Sequence, residues 1–145
     1  MRMTRLALEK LKQFEGCRLK TYRDAVGALT IGYGSTSGVY AGMVITQEEA
    51  DRRLLSYIEA EESTLLRIDG VSRLTDYQFD AIVSFAYNVG INNLKKSTLL
   101  KKLQKNPDDP TIPSEFLRWT KAGPKTLKGL VKRRAWEASR YMGNE

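Results

Sequence analysis

The sequence predicts an α+β fold in which a small antiparallel sheet is attached to a larger helical body. Three observations carry the prediction: an amphipathic opening segment that ends at a glycine, a glycine-punctuated run rich in Thr, Tyr, Ile and Val over 17–45, and helix-periodic segments broken by prolines from residue 46 onward. At 145 residues the chain suits a single domain. The changes of character at 16 and 45 divide it into a β lobe over 16–45 and a helical lobe over 1–15 and 46–145.

Leu8, Leu11 and Glu15 fall at i, i+3 and i+7 with Phe14 beside them, the spacing of one helical face over 4–15. Thr4 can cap the start. Gly16 can take the left-handed conformation that ends a helix, which puts Glu15 in the final turn. In the run that follows, Leu29-Thr30-Ile31-Gly32-Tyr33-Gly34 is the clearest strand. At Thr46-Gln47-Glu48-Glu49 a threonine precedes a glutamate by three positions, the capping-box arrangement, and Ala50, Leu54, Tyr57, Ile58, Ala60 and Leu65 continue a long helix. Further helices are expected over about 75–88, with Phe79, Ile82, Val83 and Phe85, then about 97–105, 111–121 and 127–142. Pro107, Pro110, Pro113 and Pro124 mark the breaks, and 106–113 reads as a helix connector.

Composition removes several kinds of chemistry. With no histidine and only Cys17, the chain cannot build a Cys/His zinc site, a Ser-His-Asp triad or a Cys-His pair, and it cannot close an internal disulfide. Catalysis, if any, falls to carboxylates and hydroxyls, with no metal or cofactor. No run approaches the roughly 20 apolar residues of a membrane helix, and the apolar stretch after Met1-Arg2-Met3-Thr4-Arg5 breaks before an export signal could form. Charge is uneven. Residues 91–145 hold 13 Lys plus Arg against 5 Asp plus Glu, whereas 1–90 hold 11 against 12. A basic C-terminal part suits an anionic partner such as nucleic acid, acidic lipid or a cell-wall polymer, or simply a solvated face.

Glu15 is the anomaly of the first helix, a carboxylate on the face of Leu8 and Leu11. Partial burial and the negative end of the helix dipole both favour its protonated form, which suits a general acid. An ion pair with Arg18, Lys20 or a C-terminal arginine is the structural alternative. Asp24 falls where a strand turns, a position at which aspartate commonly binds backbone N–H groups. Thr30 follows on the next strand, where a tight hairpin returns its hydroxyl toward Asp24. Two carboxylates on different elements across a gap are what glycoside hydrolysis requires, and a cleft between lobes would accept a polymer.

Phe14-Glu15-Gly16, Arg18-Leu19-Lys20-Thr21-Tyr22-Arg23-Asp24 and Thr30-Ile31-Gly32-Tyr33-Gly34 resemble, in residue type and spacing, the active-site segment of the phage-type lysozymes, glycoside hydrolase family 24. The resemblance continues through Ile45-Thr46-Gln47-Glu48-Glu49-Ala50, Phe85-Ala86-Tyr87-Asn88-Val89-Gly90, Ser97-Thr98-Leu99-Leu100 and Leu127-Lys128-Gly129-Leu130-Val131-Lys132-Arg133-Arg134-Ala135-Trp136-Glu137. It spans nearly the whole chain.

That resemblance implies a lysozyme-like fold and cleavage of the β-1,4 bond between N-acetylmuramic acid and N-acetylglucosamine in peptidoglycan. Glu15 would be the acid, and Asp24 and Thr30 would hold and activate a water on the opposite face of the sugar, giving inversion. Tyr33, Tyr87 and Asn88 would line the substrate site, although Tyr87 also suits the core and Asn88-Val89-Gly90 a helix C-cap. The implied protein is a monomeric endolysin that takes no nucleic acid and does not insert stably in a membrane. It would accumulate in the host cytoplasm and reach the wall after permeabilisation. Arg118-Trp119 and Arg133-Arg134 are cleft or surface candidates, with Trp119 and Trp136 alternatively anchoring the core. Two departures stand out: Ser35 occupies a position where many members of the family carry histidine, which puts in doubt an ion pair bracing that loop, and Pro124 one where glycine is common. A nucleic-acid-binding helical protein, a lytic transglycosylase and a chitinase are the competing readings. The first rests on charge alone, and Asp24 with Thr30 argues against the second.

Overall fold

The computed structural model describes residues 1–145. In chain order it contains α1 (Arg5–Glu15), β1 (Arg18–Arg23), β2 (Leu29–Gly32), α2 (Gln47–Leu66), a 3-10 turn (Val71–Arg73), α3 (Asp76–Val89), α4 (Ile91–Lys96), α5 (Thr98–Lys105), α6 (Ile112–Phe116), β3 (Lys121–Ala122), β4 (Lys125–Thr126) and α7 (Lys128–Tyr141). The chain forms two compact units, 9–60 and 1–8 with 61–145, whose boundaries fall inside α1 and α2. The reason is burial. Leu11 of α1 and Ala50, Leu54 and Ile58 of α2 are buried in the same unit as Ile31, Tyr33 and Ile45.

In the 9–60 unit the backbone does most of the specifying. Gly16, at φ 67°, ends α1 and donates its N–H to Lys12 O at 2.9 Å. β1 and β2 pair antiparallel, Tyr22 opposite Thr30 and Arg23 opposite Leu29, with an irregularity between Arg18 and Tyr22. The segment before α2 joins the other edge of β1 through Thr21 N to Met43 O at 2.9 Å and Ile45 N to Leu19 O at 2.8 Å. At the start of α2, Thr46 Oγ1 accepts from Glu49 N at 3.1 Å. The reciprocal half of the box is spent elsewhere: Glu49 takes Arg52 and, at 3.1 Å, Arg53 Nε.

The second unit is held by side chains. Nine consecutive residues of α3, Gln78 to Ala86, are buried, and Phe85 meets Phe116 and Trp119 edge-on at 5.4 Å each. Buried charges are paired. Asp80 accepts from Thr4 N at 2.7 Å, Thr4 Oγ1 at 2.6 Å and Arg140 Nη2 at 2.9 Å, which fastens the chain start to α3 and α7. Thr4 itself accepts from Ala7 N at 3.3 Å, the expected cap of α1. Thr75 and Gln78 form a full capping box at the head of α3, one the sequence reading passed over.

Three elements differ from the sequence expectation. The helix expected over 111–121 stops at Phe116, because Gly123-Pro124 forms the two-residue turn of a hairpin that pairs Lys121 with Thr126 and Ala122 with Lys125. Glycine at φ 62° in the first turn position lets so tight a loop close. α4 and the 3-10 turn were not expected: at six and three residues they are too short to show a helical period.

Candidate active site

The turn between β1 and β2 is built around Ala28. Asp24 N donates to Ala28 O at 3.0 Å, and Asp24 Oδ1 accepts from Ala28 N at 2.9 Å and Val26 N at 3.0 Å. Gly27, at φ 85°, closes the loop by donating to Asp24 O at 3.0 Å, and Arg23 Nη1 caps Gly27 O at 2.8 Å. The expected turn role of Asp24 is therefore met by one carboxylate oxygen. Oδ2 makes no hydrogen bond within the protein and retains its full acceptor capacity.

Thr30 is fixed by the same residue. Its side chain lies on the face of the hairpin that carries Asp24, since Thr30 pairs with Tyr22 and alternation places 22 and 24 together. It is 3% exposed and donates Oγ1–H to Ala28 O at 2.9 Å. With its only proton committed, the hydroxyl can act toward a further group solely as an acceptor. Glu15 stands half-buried as the last residue of α1, where Gly16 reverses the chain. All three expected catalytic residues belong to the 9–60 unit.

Tyr33 follows β2 and is bound to the head of α2. Its residue is 9% exposed and its hydroxyl accepts from Gln47 Nε2 at 3.0 Å. Burial pushes the phenol above its usual range, so it stays protonated. Gln47 also donates to Asp51 Oδ1 at 3.0 Å, which ties the tyrosine to α2. The loop beyond it, where Ser35 replaces a histidine, has a different brace. Arg53 Nη1 donates to Ser35 Oγ at 3.3 Å and Ser37 O at 3.2 Å while its Nε holds Glu49. Ser35 and Ile31 exchange two backbone bonds of 2.9 Å.

In the other unit Tyr87 is half-buried and Asn88 exposed on the last turn of α3, which Gly90 caps through Ala86 O at 2.8 Å. Arg133 and Arg134, expected at a cleft or surface, are instead 3% and 0% exposed. They are buried because α7 packs this face onto α3, and the single carboxylate of Glu137 bridges both: Arg134 Nη1 lies 2.5 Å from Glu137 Oε1 and Arg133 Nε 3.4 Å from Oε2. Arg134 also donates to Asn88 Oδ1 and, at 2.9 Å, to Trp119 O. Arg118 is the surface residue of its pair, held at 3.0 Å by Glu115. Trp119 and Trp136 are half-buried. Arg53, Arg134 and Glu137 were missed as supporting residues. Their partners lie up to 53 positions away, and the signal in the sequence was an arginine pair with a glutamate at i+3 and i+4.

No three or more Cys, Asp or Glu side chains gather to hold a metal ion, and no helix is long and apolar enough to cross a membrane.

Glu15 thus ends a helix, while Asp24 and Thr30 are both bound to Ala28 of the hairpin. The phage lysozyme family profile matches residues 12–137, and the chain belongs to that family of glycoside hydrolases. Its relatives include the endolysin of Acyrthosiphon pisum secondary endosymbiont phage 1, 40% identical over 97% of this chain and 98% of that one. The endolysin of Bacillus phage B103 is 39% identical over all of this chain, which spans 56% of its length. Among solved structures, the endolysin from Escherichia coli O157:H7 phage FAHEc1 superposes with a TM-score of 0.82 at 32% identity, covering 99% of this chain and 94% of that one. The muramidase domain of SpmX from Asticaccaulis excentricus does so at 0.79 and 30% identity, covering 97% of each chain.

Proposed function

We propose that the protein is an endolysin that hydrolyses the β-1,4 bond between N-acetylmuramic acid and N-acetylglucosamine in peptidoglycan, with inversion at the anomeric carbon. The observation that carries the mechanism is the shared anchorage of Asp24 and Thr30 on Ala28. It leaves two acceptors, Asp24 Oδ2 and Thr30 Oγ1, fixed on one hairpin face. A water that donates one proton to each has its remaining lone pairs directed away from both, toward an electrophile. Glu15 protonates the glycosidic oxygen, the C–O bond breaks, and the water attacks the opposite face of the sugar while Asp24 Oδ2 takes its proton. The product carries the new hydroxyl, and the proton on Asp24 is returned to Glu15 through solvent. Positions are held before the substrate arrives, so little reorganisation opposes the step.

Tyr33, Tyr87 and Asn88 line the glycan site. The enzyme works as a monomer, without cofactor, metal or nucleic acid, and it collects in the host cytoplasm until the membrane is permeabilised. The basic surface of residues 91–145 draws it to anionic wall polymers over about a Debye length.

Purified cell wall treated with the wild type and with Glu15→Gln tests this reading. The isosteric amide cannot donate a proton, and its rate should fall by on the order of 10²–10⁴-fold. The wild type should release reducing N-acetylmuramic acid ends whose first-formed anomer is α by NMR. Anhydro-muramic ends would show that no water is added and would exclude the mechanism.

A further inference from the structure

We infer that Arg134 is a positioning residue that turns the amide of Asn88 so that it presents only N–H donors to the glycan, where it holds an acceptor such as the carbonyl oxygen of a 2-acetamido group. The inference rests on the proposed function, and it concerns a side chain that approaches the sugar only through its neighbour.

An asparagine amide has a carbonyl at one end and an NH₂ at the other, and free in water it presents either. A guanidinium has donors and no acceptor. Because Arg134 Nη2 donates to Asn88 Oδ1, the amide cannot turn over without bringing N–H against N–H. Asn88 is exposed, so its Nδ2 donors are the end left for a ligand.

Arg134 is suited to impose this orientation because it cannot move. It is wholly buried, and each of its donor groups is engaged: Nε at 2.9 Å to Trp119 O, Nη1 at 2.5 Å to Glu137 Oε1, and Nη2 to Asn88. The guanidinium also stands 5.0 Å from the centre of the Phe85 ring. Glu137 is fixed in turn by Ser84 Oγ at 2.6 Å, and Arg133 Nη2 donates to Ser84 O at 3.1 Å. A continuous chain of bonds thus runs from the middle of α3 through α7 to the exposed amide at the end of α3. Acceptors on a glycan are numerous, and the acetamido carbonyl is the strongest of them and occurs on both sugars of peptidoglycan. An oriented donor selects for it.

Three variants assayed on soluble peptidoglycan fragments test the inference. Asn88→Asp keeps an acceptor for Arg134 and so spares the fold, but it removes both donors. It should raise KM roughly 5–20-fold, the loss of one good hydrogen bond, with kcat little changed. Arg134→Lys, with its ammonium unable to reach three partners at once, should raise KM by a similar factor. The Arg134→Lys variant carrying Asn88→Ala should be no worse than Asn88→Ala alone. Multiplied effects, or an Asn88→Asp enzyme with the KM of the wild type, would overturn the inference. So would an Arg134→Lys enzyme whose loss lies wholly in kcat. Should Arg134→Lys fail to fold, Arg134→Met takes its place in the cycle with Asn88→Ala, with the same outcomes. Glu15→Gln run beside them separates the two levels: if it is inactive and the cycle is multiplicative, only the role of Arg134 falls, whereas if it is active the proposed function falls first.

Discussion

The two units solve the problem of holding polar groups in opposite ways. In 9–60 the important polar side chains bind backbone close by in the chain: Asp24 and Thr30 both end on Ala28, within four residues of each. In the helical unit they bind each other, within α7 as Arg134 with Glu137, and also across 46 to 76 positions, as Arg134 with Asn88 and Thr4 with Asp80. The burial differs as well. The helical unit sinks Asp80, Arg134 and Glu137 completely, whereas Glu15 and Asp24 remain half-exposed. Charged groups fully out of water are costly and must be paired, so they serve architecture. Asp24 keeps one oxygen uncommitted, and a local turn supplies the rigidity that deep burial supplies elsewhere.

That contrast can be broken at four places, taken here from the largest expected effect to the smallest. Asp24→Asn retains Oδ1 for the N–H groups of Val26 and Ala28 but replaces the uncommitted oxygen with a donor. Activity on cell wall should drop on the order of 10²–10⁴-fold with the melting temperature unchanged, and a comparable loss of melting temperature would mean Asp24 acts as a turn residue only. Asp80→Ala has the converse outcome. It strands the buried Arg140 and the N–H of Thr4, so stability should fall by about 3–5 kcal/mol, read by urea titration. The surviving folded fraction should cleave at close to the normal rate.

Glu61 sharpens the comparison through pH. It is 6% exposed, its Oε2 has no hydrogen-bond partner, and burial, aided by Glu62 and opposed by Arg133, pushes its carboxyl up to about 8. The folded state therefore holds a proton that the unfolded chain releases above its ordinary pKa of 4.5. This contribution to stability is fully present below that value and is lost as pH rises toward 8, at up to about 1.4 kcal/mol per pH unit. Glu61→Gln should flatten that part of the curve; an unchanged slope assigns it to other groups. The smallest effect belongs to Arg53→Ala, about 0.2–1 kcal/mol in stability, since Arg53 is partly solvated. Hydrogen exchange should nonetheless quicken at Ser35 N–H and its neighbours if Arg53 is the brace that stands in for the missing histidine interaction.

How much was legible follows from the same division. The end of α1 at Gly16, the strand at Leu29–Gly32 and the start of α2 at Thr46 were readable because each depends on a few adjacent residues: a left-handed glycine, alternation, a threonine cap. The turn role of Asp24 and the place of Thr30 on the next strand were readable for the same reason. The stop at Phe116 was overrun because Leu117, Arg118 and Trp119 continue a helical pattern until the Gly123-Pro124 turn, and only closure of β3 on β4 decides against it. The basic pair Arg133-Arg134 looked like surface because a charge in a helix usually is. Its one charged partner, Glu137, is three and four positions along the same helix, but the groups that complete its burial, Ser84 and Asn88, stand on α3.

The sequence by itself determined the fold class, the family and the hairpin of β1 and β2, since turns and caps are short-range chemistry written in neighbouring residues. Tertiary structure alone decided which charges are buried and what they hold: whether Arg134 meets water or Asn88, and whether Glu61 keeps its proton. Those outcomes depend on what α7 and α3 bring together, and local spacing carries no record of a partner dozens of residues away.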